Sequence, residues 1–214
     1  MITQPPDGTT ASRDDTALIE QARRDPEAFA ALYQRYLTPV YRYLYSRLGS
    51  AHDAEDITTQ VFIDALEGLS ANHYRAGGCF SAWLFTIARR RLVDFYRQRP
   101  TSPLGPTICQ ANRTGADLCE IPSAEPGLLA ALEKSDDLKR LGRLLARLDE
   151  EKQELLRLRF SAGLSFAEIA LLENRPHDLP GKPERGLSRS EAAVKMALYR
   201  TLDWLREHWE AENG

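Results

Sequence analysis

Long apolar runs are missing from this chain. No stretch approaches the roughly 18 apolar residues of a membrane span, so no helix that crosses a bilayer is expected. The opening stretch, MITQPPDGTTASRDD, has neither a basic start nor an apolar run, which argues against a signal peptide and for a cytoplasmic protein. Cysteine is scarce: Cys79, Cys109 and Cys119 form no C-x-x-C pair, and His52, His73, His177 and His208 stand apart. A structural metal needs four convergent ligands, so no metal site is expected. Free thiols in a reducing compartment are the plain reading, with a Cys109–Cys119 redox pair as the alternative. Also missing are a Gly-rich phosphate loop, a nucleophile elbow, metal-ligand spacing and any His–Ser or His–Cys context for a nucleophile. The chain should be no enzyme and should carry no cofactor.

What is present is helical periodicity and a segregated charge. The net charge of −3 hides two opposite segments. Residues 50–68, SAHDAEDITTQVFIDALEG, hold five acids and no Lys or Arg, whereas residues 78–99, GCFSAWLFTIARRRLVDFYRQR, hold five arginines against one acid.

Almost every periodic stretch has the helical period, and no convincing period-2 strand occurs, which predicts an all-α fold. A short helix is expected around Thr16–Arg24. Asp25-Pro26 then opens a longer one, in which Phe29, Leu32, Tyr36, Val40 and Leu44 share a face, Pro39 should kink or interrupt the run, and Gly49 closes it. Ser50 with Asp53 opens the acidic helix, buried through Ile57, Val61, Phe62, Ala65 and Leu69. After the polar loop SANHYRAGG, the inner face of the arginine-rich helix is Phe80, Trp83, Leu84, Ile87, Ala88, Leu92 and Phe95. Residues 100–127 carry five prolines and no helical stripe, and read as an extended linker. Helix resumes over Leu128–Leu148. Asp149 caps the next one, with Leu155, Leu156, Leu158 and Phe160 inward and Gly163 at its end. The expected plan is a tail over 1–13, a four-helix bundle over 14–99, the linker, and a second helical domain over 128–210.

Two capping boxes, Ser165 with Glu168 and Ser188 with Glu191, mark a pair of helices near the C-terminus. A short helix before a basic one suggests a helix-turn-helix, in which about 3–4 residues form the turn. Here Glu173–Ser188 lie between, with three prolines and three acids against three bases. The second helix would bury Ala193, Val194, Ala197, Leu198, Leu202 and Leu205. Its Arg189, Ser190, Lys195 and Arg200 would be left to enter a major groove. Net charge over 188–200 is only +2, so binding through this helix should be weak and salt-dependent.

On the arginine helix, Ala88 and Leu92 point inward, which sends Arg89, Arg90 and Arg97 to solvent, with Arg91 as a further candidate. Guanidinium forks suit phosphate oxygens, although a solvated basic face is the plain alternative. In the preceding loop, Asn72, His73, Tyr74 and Arg75 offer edges and a ring to an unstacked base, with Trp83 close by. The acidic helix, with Asp53, Glu55, Asp56 and Asp64 outward, suits a basic protein partner, or serves solubility alone.

The segment DPEAFAALYQRYLTPVYRYLYSRLGSAHDAEDITTQVFIDALEGL, then FSAWLFTIARRRLVDFYRQR, resembles the promoter-melting domain of bacterial RNA polymerase sigma factors of the extracytoplasmic function (ECF) group. LARLDEEKQELLRLRFSAGLSFAEIA with RSEAAVKMALYRTLDWLR resembles their C-terminal domain. The resemblance implies a dissociable initiation subunit whose partners are core RNA polymerase (the β′ clamp coiled coil and the β subunit), promoter DNA and an anti-sigma factor. It would assign Asp53, Glu55, Asp56 and Gln60 to the β′ coiled coil. Asn72, His73, Tyr74 and Arg75 would take a flipped base of the −10 element, with Trp83, Arg89, Arg90 and Arg97 along the strand. Arg189, Ser190, Lys195 and Arg200 would read the −35 element.

Three departures stand out. Thr59-Gln60 replaces the family's common Gln-Glu, Arg90 stands where Asn is common, and the insert at 173–188 replaces a residue or two. An outward bulge on a working helix-turn-helix is the favoured reading of the insert, since loop closure costs only about 1–2 kcal/mol more by the logarithmic rule. The alternative is a sigma-like decoy that binds a regulator without reading DNA.

Overall fold

The computed structural model describes residues 11–23, 25–74, 78–98, 128–175 and 189–211. The expected linker, the body of the insert with Ser188, Arg75 and residues 1–10 lie outside them. The described residues are helical throughout, without a strand.

Helix α1 (Ala11–Ala22) begins ahead of the expected Thr16 and within the expected tail. Asp25 accepts the Glu27 N–H at 2.9 Å and starts a 3-10 turn, Pro26–Ala28, that leads into α2 (Phe29–Leu48). Helix α2 continues through Pro39 and is not interrupted there. Leu32 and Tyr36 before the proline and Val40 and Leu44 after it are buried in one core, which anchors both halves of the helix. Gly49 ends α2 in the left-handed region at φ 67°, where a side chain would be strained. Ser50 caps α3 (Ala51–Ser70) by accepting the Asp53 N–H at 3.3 Å. Helix α4 (Phe80–Gln98) then packs on α2 and α3.

Helices α5 (Leu128–Ala146) and α6 (Glu150–Leu156) follow, the latter capped by Asp149 on the Lys152 N–H at 2.8 Å. A π-helical turn, Arg157–Ser161, continues α6. Its wider winding, with Ala162 N–H bonded to the Arg157 carbonyl, rotates Phe160 outward, where it is 55% exposed instead of buried. Ser165 and Glu168 form the full capping box of α7 (Phe166–Glu173). Helix α8 (Glu191–Ala211) is capped by Ser190, whose Oγ accepts the Ala193 N–H at 3.2 Å. Ser190 therefore stands in the capping place expected of Ser188, two residues later. Val194 and Leu198 are buried as expected, while Ala193 is exposed.

The N-terminal helices α1–α4 and the C-terminal helices α5–α8 share one continuous apolar core. Helix α4 meets α7, and α2 meets the π turn. This explains why the N-terminal half of α4 is buried all round, Ser81 and Phe85 included. Phe85 stacks edge-on against the fully buried Tyr43, ring centroids 5.3 Å apart. Burying such a side chain is worth roughly 1.5–3 kcal/mol.

Candidate nucleic-acid and polymerase interface

Three arginines follow one another on α4, and their surroundings differ. Arg89, expected at the solvent, is buried. Its Nε donates to Glu154 Oε1 at 3.2 Å and its Nη2 to Glu173 Oε1 at 2.7 Å. The physical reason for the correction is the second set of helices, which covers the side of α4 that a lone bundle would leave wet. Arg90 is exposed and has no ion pair among the described residues. Arg91 is bound by Asp64 of α3. Arg97 is exposed, with Asp94 at 3.9 Å.

Glu154 is the hub of the seam between the two sets of helices. Tyr43 donates to it at 2.7 Å, and Arg47 and Arg157 approach its other oxygen at 3.5 and 3.7 Å. Arg47 also donates to Glu150, and Ser81 donates to Glu168 at 2.5 Å. Burial pushes the Glu154 carboxyl up, but Arg89, Arg47 and the Tyr43 hydrogen bond outweigh it and hold the group at about 2. For Arg89 burial works against the charge, and Glu154, Tyr43 and Glu173 reverse it, so its pKa is raised. Arg157 goes the other way: burial and then the neighbouring Arg47 lower it. Arg47 Nε, Arg157 Nε and Nη1, and Glu154 Oε2 are buried without a hydrogen-bond partner. The seam thus joins three guanidinium groups to three carboxylates with incomplete hydrogen bonding.

On the other side of α4 a groove of about 790 Å³ runs between α3 and α4, lined by His73, Trp83, Arg90, Arg97 and the Asp64–Arg91 pair, among others. Trp83 forms its floor beside Gly68, where an added Cβ would come within 2.9 Å of the indole. Asn72 adopts φ 57°, a left-handed conformation that asparagine tolerates, and turns the chain at the groove's rim. His73 is exposed. Tyr74, expected to face a base, is instead buried, its ring 5.3 Å from Trp83 and 5.9 Å from Phe80 and its hydroxyl donating to the Gly78 carbonyl. It shapes the loop from within because the short SANHYRAGG connection must fill the space over Phe80.

The acidic residues lie along the outer face of α3. Glu55, Asp56 and Gln60 are exposed, Asp53 is half-buried, and Asp56 sits 3.2 Å from His52. On α8, Lys195 and Arg200 are exposed together with Met196 and Tyr199. Arg189 is tied to Glu151 at the start of that helix. Just before it, Asn174 closes the base of the insert: its Oδ1 accepts the Arg189 N–H at 2.6 Å and its Nδ2 donates to the Arg189 carbonyl at 2.8 Å. The structure brings His73, Trp83, Arg90 and Arg97 to one groove, together with Arg89, whose guanidinium is bonded into the seam, and sets Tyr74 apart from it. Sequence reasoning missed Tyr43, Glu154, Glu173 and Asn174, and it set Asp64 toward a basic partner protein where the structure pairs it with Arg91. Only Asn174, a lone amide at the end of an apolar helix, carried a local signal.

Helices of this order and geometry define a class: residues 32–100 match the family model for sigma-70 region 2. This match and the similar proteins that follow support an ECF RNA polymerase sigma factor. The chain is 32% identical over 186 residues to the ECF RNA polymerase sigma factor BldN of Streptomyces coelicolor, covering 86% of this chain and 62% of that protein. It is 29% identical to the ECF RNA polymerase sigma factor RpoE of Cereibacter sphaeroides, covering 91% of this chain and 94% of the other. Among solved structures, CnrH in complex with the cytosolic domain of CnrY shares the fold, with a TM-score of 0.57 at 23% identity over 92% of this chain and 97% of that one. No helix among the described residues is long and apolar enough to cross a membrane.

Proposed function

We propose that the chain binds core RNA polymerase and selects promoters, with 14–99 working as the module that melts a −10 element and 128–210 as the module that reads a −35 element. The observation that carries this reading is the α3–α4 groove. Its aromatic floor, Trp83, and its exposed cations, Arg90 and Arg97, are the combination that stacks a base while tracking a phosphate backbone. His73 and Asn72 stand at its rim, where an extruded base would arrive, and capture offsets unstacking of a few kcal/mol. The outer face of α3, through Asp53, Glu55, Asp56 and Gln60, is the docking surface for a basic element of the polymerase clamp. Lys195 and Arg200, on the open face of α8, follow the −35 major groove, with Arg189 and Ser190 at its leading end.

In this reading Arg89 has two employments, the seam and the DNA strand, and the strand gains it only when the seam opens. The test is run-off transcription with purified core polymerase over genomic fragments, with and without the protein. Discrete new transcripts are expected.

A second reading, a sigma-like decoy that engages an anti-sigma regulator without reading DNA, is favoured by one observation. Arg89 and Arg189 are both held by carboxylates of the same chain. Binding to core polymerase without any transcript would favour the decoy.

A further inference from the structure

Asp64 of α3 holds Arg91 of α4 in a two-point fork: Nε donates to Oδ2 at 2.5 Å and Nη2 donates to Oδ1. Both residues line the groove, and their side chains are 35% (Arg91) and 26% (Asp64) exposed. The pair therefore sits where a strand would run rather than in the core. The other charges facing it are Glu67 and Asp94, with Arg90 and Arg97 beyond. Of the guanidinium groups in the groove wall, Arg89 is bonded into the seam, Arg90 is open, Arg97 is loosely paired, and Arg91 is engaged at both of its donor edges by Asp64.

We propose, resting on the reading of the groove as a nucleic-acid track, that Asp64 is a positioning residue that limits how strongly the groove grips a sugar–phosphate backbone. The fork acts in two ways. It braces α3 against α4 beside Trp83, fixing the width of the groove. It also withholds Arg91 from phosphates and sets a carboxylate close to where they pass. Backbone contacts add affinity without sequence information. Removing one such contact shifts the balance toward base readout, and selectivity rises as a difference between correct and incorrect strands. Asp64 thus spends overall affinity to keep that difference.

The test uses the full chain with Asp64→Asn, Arg91→Ala and the double variant. A labelled single-stranded DNA oligonucleotide long enough to cross the groove serves as the probe, and binding is read by fluorescence anisotropy across a potassium chloride series. Thermal melts check that each variant is folded, with Asp64→Ser as the substitute if Asp64→Asn is not. The log–log salt slope is the readout that a merely structural role would not move. Asp64→Asn should steepen it by about 0.7, the value for one further phosphate on a single strand. Binding should tighten by at least about tenfold at low salt, as one charge-assisted hydrogen bond would give. Adding Arg91→Ala should abolish both gains, and Arg91→Ala alone should leave the slope unchanged. A folded Asp64 variant with an unchanged slope would overturn the proposal, as would a flatter slope for Arg91→Ala alone, which would mean that Arg91 already holds the strand. Wild-type protein that binds no single-stranded DNA would instead overturn the reading of the groove itself.

Discussion

Arg89 and Arg90 are neighbours on one helix and live in opposite surroundings. Arg89 is buried between carboxylates of the C-terminal helices, while Arg90 stands in water at the edge of the groove. A turn of about 100° per residue separates the two directions. It converts a run of like charges into a fastening on one side and an open basic edge on the other. The buried side is dear to disturb and insensitive to salt; the wet side is cheap to mutate and salt-dependent.

The sharpest way to break the contrast is at Glu154. Glu154→Gln leaves Arg47, Arg89 and Arg157 crowded without their shared carboxylate, and breaking a buried pair of this kind costs about 3–5 kcal/mol. Chemical denaturation should show that loss, and small-angle scattering should show a larger radius as the helices part at the seam. An unchanged denaturation midpoint would reduce the seam to incidental contact.

Acid should do the same by degrees. Glu154 titrates at about 2 when folded, against an ordinary 4.5. A carboxyl depressed by folding stabilises the fold above its ordinary value and loses that contribution as pH falls through the folded value. On the order of 3 kcal/mol should therefore be fully present above about pH 4.5 and gone near pH 2. E154Q should lack this slope, and a parallel acid slope in both proteins would remove Glu154 from the account.

Gly68→Ala is next in size. The new methyl would meet the Trp83 ring, which Tyr74 and Phe80 already hemmed in on other sides. Overpacking should cost about 1–3 kcal/mol and alter the near-ultraviolet circular dichroism of the aromatic cluster. The smallest effect on stability belongs to Arg90→Ala, within about 0.5 kcal/mol of wild type. It should nonetheless flatten the salt dependence of single-stranded DNA binding by about 0.7. A destabilised Arg90 variant would erase the distinction between the two sides of α4.

Much of the fold was legible because helix stripes and caps are local. Ser50, Asp149, Ser165 and Gly49 each stand where their chemistry predicts. An interruption at Pro39 was one expectation that failed, because propensity was weighed without the core on both sides of it. Phe160 was misread because a π turn inserts an extra residue into the winding without a mark in the sequence. The groove residues His73, Trp83, Arg90 and Arg97 were found from residue type and order. Arg89 and Tyr74 were placed wrongly for one reason. Whether a polar or aromatic side chain is wet depends on what packs over it, and for Arg89 that covering is more than sixty positions further along the chain.

The amide of Asn174 has a consequence for how this protein can change over generations. By gripping the Arg189 backbone at both its donor and its acceptor, it fixes where α8 starts whatever number of residues joins the two. Length between the two helices is thereby uncoupled from the angle at which they meet. A lineage can gain, lose or exchange sequence there while α8 keeps its aim, and an engineer could splice a reporter into the same place.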